Sequence, residues 1–251
     1  MPWRGPRQSW RLGRVAARRL AAVLPADLAA AEVQAREALL AALTADANGR
    51  WTVEWRFEGL RLLPLALRLT RQLVAAGLEP RLLFADAGAA ALAKRDGPDL
   101  AERCGDFNSL LRQQGQGTSE GLLLAVAPSP ADYSSFEQLC QQHRGGVVTL
   151  NGRLEDAAVG IGSVARERRC GFGSQWQAAY CLQPLAEGVL RRSYPDQWQL
   201  YREDADGFRL AELFERKPDG EQIAEALAGE AGLGLAGNLR ALDALIEGLG
   251  R

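Results

Sequence analysis

The chain has 251 residues, 47% of them apolar, with a formal net charge of -1. That length and apolar content allow a substantial core and exclude global disorder, and the near-neutral balance excludes a molecule drawn as a whole to nucleic acid or an anionic membrane. No uninterrupted apolar run is long enough to span a membrane, so association with one would be peripheral.

Residues 1–23 form a basic N-terminal extension. Arg4, Arg7, Arg11, Arg14, Arg18 and Arg19 precede any acidic residue, and Trp3, Trp10, Leu12, Val15 and Leu20 lie among them. The pattern fits a solvent-facing arm, a contact with an anionic membrane surface or a partner, a nucleic-acid contact, or a transit-like start. The arginines interrupt the apolar stretch that an export signal requires.

From Pro25 and Asp27 a helix is expected to run to Asn48-Gly49, its apolar face carried by Leu28, Val33, Ala35, Leu39, Leu40 and Leu43. Residues 51–57 alternate Trp51, Val53, Trp55 and Phe57 with polar side chains, which predicts a half-buried strand of the kind found at a sheet edge. A helix over 62–76, with Pro64 tolerated in its first turn, precedes a strand over 78–85. This is a βαβ pattern, expected to cross over right-handed. A short helix follows over 87–94; residues 96–120 are mostly polar and glycine-rich, and Gln113 to Thr118 read as an exposed loop.

Residues 121–127 are continuously apolar between a glycine and Pro128, the mark of a parallel strand buried on both faces. A helix over 132–142 and a strand over 147–150 complete the alternation. Beyond that, a helix over 173–179 gives way to short segments at 179–184, 188–194, 198–202 and 208–212 with tight turns, which predicts antiparallel strands. Helices are expected over 218–228 and 236–249. The whole order predicts one α/β domain over 24–251: a mainly parallel open sheet with flanking helices and antiparallel additions in the C-terminal half.

No catalytic, cofactor or metal signature emerges. Gly160-Ile161-Gly162 lacks the third glycine of a dinucleotide fingerprint, and no GxxxxGK[ST], GxSxG or HExxH occurs. Cys104, Cys140, Cys170 and Cys181 contain no CxxC pair, so free thiols in a reducing compartment are expected. His143, the single histidine, reads as a surface residue at a helix C-terminus.

The unusual residues lie between Val147 and Trp198. Asn151-Gly152-Arg153 follows a strand end, where it is either a turn or the rim of a ligand crevice. Arg153 can fork onto a phosphate or carboxylate, or pair with Glu155 and Asp156. Arg166 and Arg169 share a helical face behind Gly160 and Gly162, as an anion site or a salt-bridged surface. Arg192 precedes Tyr194-Pro195-Asp196-Gln197-Trp198, a turn whose aromatics either pack back on the sheet or present a partner patch. One arrangement would bring Arg153, Arg166 and Arg169 together at the C-terminal sheet edge, with Asn151 at the rim.

In combination these segments resemble the DUF1995 family of cyanobacteria and chloroplasts. The likeness runs in order over about 24–228 through Leu24-Pro25 with Gln34-Ala35, Val53-Glu54 with Phe57, Leu124 to Pro128, Thr149 to Leu154, the Arg166/Arg169 region, Tyr180 to Leu185, and Arg192 to Trp198. Gly152 stands where a proline would be expected after the asparagine, which loosens that loop. The resemblance implies a low-photosystem-II-accumulation type of assembly factor. It implies a non-enzymatic accessory protein for photosynthetic membrane complexes, in the cytoplasm or peripherally at the thylakoid surface, with a photosystem subunit or assembly factor as partner. The same domain also occurs behind a chloroplast adenylate kinase, but this chain has no phosphate-binding signature of that chemistry. The residues would then serve as anion contacts (Arg153, Arg166, Arg169, Arg192) and apolar contacts (Tyr194, Trp198). The alternative is an enzyme or sensor binding a small phosphorylated or carboxylated ligand at the strand-end crevice, oriented by Asn151.

Overall fold

The computed structural model describes residues 24–115, 119–154 and 171–228. Helix α1 (Leu28–Ala45) starts at Asp27, whose side chain accepts from the Ala30 N–H at 2.7 Å and so satisfies one of the donors a helix start leaves open. Strand β1 (Arg50–Trp55), helix α2 (Leu62–Ala75) and strand β2 (Pro80–Phe84) follow. After α3 (Ala87–Asp96) comes a 3-10 turn (Pro98–Arg103), then β3 (Cys104–Asp106) and α4 (Phe107–Gln114). Strand β4 (Leu122–Val126), helix α5 (Tyr133–Gln142) and strand β5 (Val147–Leu150) close the first half.

Strands β6 (Trp176–Leu185), β7 (Gly188–Ser193), β8 (Trp198–Asp204) and β9 (Gly207–Phe214) form the second half. A helix, α6, begins at 220 and is described to 228.

All nine strands join in one sheet ordered β3-β2-β4-β5-β1-β6-β7-β8-β9. Pairing is parallel from β3 across to β6 and antiparallel from β6 to β9. The predicted α/β class, with a mainly parallel sheet and antiparallel additions, is therefore the observed one. Helices α1, α2 and α3 bury their apolar sides on one face of the sheet, while α4 and α5 cover the other. Right-handed crossovers that first run one way along the sheet and then return require this split.

Strand β4 lies between β2 and β5, and Leu123, Leu124 and Val126 are buried as the apolar run predicts. Strand β1 differs from expectation. It sits at the centre of the sheet, between β5 and β6, rather than half-buried at an edge. Its polar alternation survives there because Glu54 is buried against Arg56, which donates from Nε at 3.0 Å. The polar stretch 96–120 holds β3 and α4; of the loop expected over 113–118, Gln113 and Gln114 are instead the last turn of α4, and 116–118 lie outside the described residues. Asp106 caps α4 by accepting from the Ser109 N–H, and Phe107 and Leu110 are buried. The helix expected over 173–179 is a helical turn that ends at 173, and β6 begins at Trp176.

His143 is buried rather than on the surface. Its Nε2 lies 3.0 Å from the Gly121 carbonyl, so it donates there, and Nδ1 accepts from the Ser119 hydroxyl at 2.7 Å. Cys104, Cys140 and Cys181 are buried thiols. Burial pushes the Cys140 thiol up to about 12, which removes it as a nucleophile near neutrality. Cys170 lies outside the described residues, as do residues 1–23 and the tail 236–249.

Candidate functional site

Helices α4 and α5 cover β2, β4 and β5 on the second sheet face, and α6 packs through Ile223 on the cluster of Cys181, Leu190 and Trp198. Between these covers lies a cleft of about 820 Å³. The volume falls inside the ordinary range of small-molecule sites, roughly 300–1,000 Å³. Its floor is the sheet itself: Thr149 from β5, Thr52 and Glu54 from β1, Ala178 from β6 and Arg192 from β7. These residues project the same way because successive strand side chains alternate faces. Their neighbours Val53, Val148 and Ala179 belong to the opposite core, and the register shift of β6 against β1 beyond Ala178 turns Tyr180 and Leu182 to that side too.

One wall is aromatic. Tyr133, Phe172 and Trp176 line it, with Phe172 edge-on to both Tyr133 and Trp176 at 5.7 and 5.8 Å. The Trp176 indole N–H is buried without an acceptor among the described residues. Such a donor costs free energy unless something that binds accepts from it. The other wall holds Trp198 together with Glu215, Arg216 and Lys217, which follow β9.

Two arginines shape the floor differently. Arg56 holds Glu54 through Nε and donates from Nη2 to the Gly152 carbonyl at 2.9 Å, which ties the loop after β5 to the end of β1. The Cys181 thiol stands 3.9 Å from the same Glu54 carboxylate. Arg192 makes a long bond of 3.4 Å to the Ala178 carbonyl. Burial pushes its guanidinium below the ordinary arginine value, against the opposing pull of Asp196 and Tyr194. It remains a cation, and an incompletely hydrated one is a strong partner for a carboxylate or phosphate.

The residues singled out in the sequence separate by face. Arg192 and Trp198 meet in the cleft. Tyr194 lies on the opposite face, edge-on to Trp51 at 5.2 Å. Asn151 adopts a left-handed backbone (φ 52°). Its Oδ1 accepts from the Trp55 N–H at 2.7 Å and its Nδ2 donates to the Trp55 carbonyl at 2.8 Å. The amide thus extends the β5–β1 ladder and is committed to backbone. Arg153 is exposed, and its backbone N–H donates to the Pro128 carbonyl at 2.9 Å. Arg166 and Arg169 lie outside the described residues.

Sequence reasoning missed Thr52, Glu54, Thr149, Phe172, Trp176, Arg216 and Lys217. The first three were readable as the polar side of two strands, had both been placed at the sheet centre. Among the described residues no cluster of histidine, cysteine and carboxylate groups could hold a metal. Nor, among them, is any helix long and apolar enough to cross a membrane.

A family model described as "Domain of unknown function (DUF1995)" matches residues 25–225. No curated protein matches the chain.

Proposed function

The chain belongs to the DUF1995 family, and from that premise we propose that it is a non-enzymatic accessory protein for photosynthetic membrane complexes, engaging its partner through the cleft on the second sheet face. The observation that carries this reading is the cleft's composition: an aromatic wall facing the desolvated cation of Arg192 and the basic pair Arg216-Lys217. Aromatic and arginine side chains dominate the energetics of protein recognition. The charged rim suits an acidic partner segment and would speed its encounter. On this reading the protein works at the cytoplasmic face of the thylakoid, with a photosystem subunit or assembly factor as partner.

Affinity capture from detergent-solubilised thylakoid membranes tests the proposal. The wild-type chain is expected to retain a photosystem subunit or assembly factor, and Arg192→Gln to lose most of it. Equal retention by both proteins contradicts the reading.

A second reading has its own support. The cleft is concave, of small-molecule size, and offers a few convergent polar groups, including Arg192 and the Trp176 indole N–H, which has no acceptor among the described residues. A phosphorylated or carboxylated metabolite would bind there. A thermal-shift screen of nucleotides and phosphorylated metabolites distinguishes it: a dose-dependent rise in Tm that Arg192→Gln abolishes favours the small ligand.

A further inference from the structure

Strand β9 is the open end of the sheet, paired only with β8 among the described residues. Seven of its eight residues are exposed. Three of the five large apolar side chains exposed among the described residues belong to it: Phe208 at 48%, Leu210 at 51% and Leu213 at 49%. Edge strands usually carry lysine, proline or inward-pointing charge that blocks further pairing. This one carries an apolar row.

The ladder with β8 fixes the direction of each side chain. Phe208, Leu210 and Leu213 stand opposite Glu203, Tyr201 and Gln199, alternate residues of β8, and so share one face. Arg209 and Glu212 stand opposite Arg202 and Leu200 and share the other. In a regular strand Phe208 and Leu213 would point opposite ways. The register shift at Leu200/Tyr201 leaves Ala211 as an extra residue and brings them back to one face.

We infer that β9 is a self-association surface, on which two copies of the chain pair antiparallel about a two-fold axis that is perpendicular to the sheet and lies between the two β9 strands, level with the Leu210–Ala211 peptide. In that register Phe208 lies across from the partner's Leu213, Arg209 from the partner's Glu212, and Leu210 from the partner's Ala211. Each pairing occurs twice because the axis is two-fold. Apolar faces apolar on one side of the joined sheet, and opposite charges meet on the other, which are the cross-strand pairs that stabilise a ladder. Arg209 also meets Asp204 and Asp206 of its own chain, which orients the guanidinium at the strand end. The bulge is thus what makes this strand complementary to itself.

Sedimentation velocity on the full chain over a wide concentration range tests the inference. The wild type is expected to approach twice the 27.2 kDa chain mass as concentration rises. Glu212→Arg sets arginine against arginine across the axis, and Arg209→Glu sets glutamate against glutamate. Each alone is expected to weaken association by about tenfold or more, the size of two lost ion pairs replaced by like charges. An equimolar mixture of the two variants restores both attractive pairs and is expected to recover the dimer as a heterodimer. Leu210→Asp, which sets two carboxylates beside the axis, is the independent check should Arg209→Glu loosen its own hairpin. A wild type that stays monomeric throughout overturns the inference. So does a dimer insensitive to Glu212→Arg and Leu210→Asp in variants that melt like the wild type.

Discussion

Asn151 stands where β5 ends, and both ends of its amide bond the backbone of Trp55 on β1. Its left-handed backbone suits asparagine better than most residues. Asn151→Ala is expected to cost about 1–3 kcal/mol, because a buried N–H and carbonyl lose their partners; a urea melt measures it. His143 makes a second case at this scale. Burial lowers its pKa from the ordinary 6.5, so the folded state binds a proton less tightly than the unfolded chain. Its contribution to stability is complete above 6.5 and falls as the pH drops below that value toward the lowered folded pKa. As the single histidine, it can be isolated: urea midpoints of the wild type should drop on acidification through this window, and those of His143→Gln should change much less. The sequence placed His143 after a helix, which is where it is. It could not show that Ser119 and Gly121, more than twenty positions earlier, close over the ring.

At the scale of elements, legibility followed how much each segment's own pattern decides. Strand β4 announced itself because a continuous apolar run fits only a strand buried on both faces. Leu124→Ala should accordingly cost about 2–5 kcal/mol, from lost burial and the cavity left behind, and equilibrium unfolding in urea checks it. Strand β1 was legible as a strand but not as a central one, since Glu54 and Thr52 imitate a solvent face. What admits them is the Arg56 ion pair and the cleft above, both tertiary. Strand β3 has only three residues, too few for a period to register. Helix α4 was hidden by its polar composition, although the spacing of Phe107, Leu110 and Leu111 carries its buried side. The antiparallel strands β7 to β9 were readable from their turns.

At the scale of the molecule, the sheet class was legible and the site only partly so. Arg192 and Trp198 were legible because unusual residues cluster there, and they meet in the cleft. Tyr194 parted from them because residues near a turn need not keep the strand's alternation. The cleft itself draws on residues from Thr52 to Lys217, a convergence that local patterns do not encode. Arg192→Gln should leave the fold nearly unchanged, by less than about 1 kcal/mol, since its one bond among the described residues is long; a thermal melt beside the capture experiment checks this. The most direct measurement of the central claim places a photo-crosslinking amino acid at Ser174, exposed on the cleft rim just before β6, and a control at Leu92, exposed on α3 across the sheet. Irradiation with solubilised thylakoid membranes is expected to attach a photosystem subunit or assembly factor from position 174 and not from position 92. The same products from both positions, or none from position 174, would contradict the account.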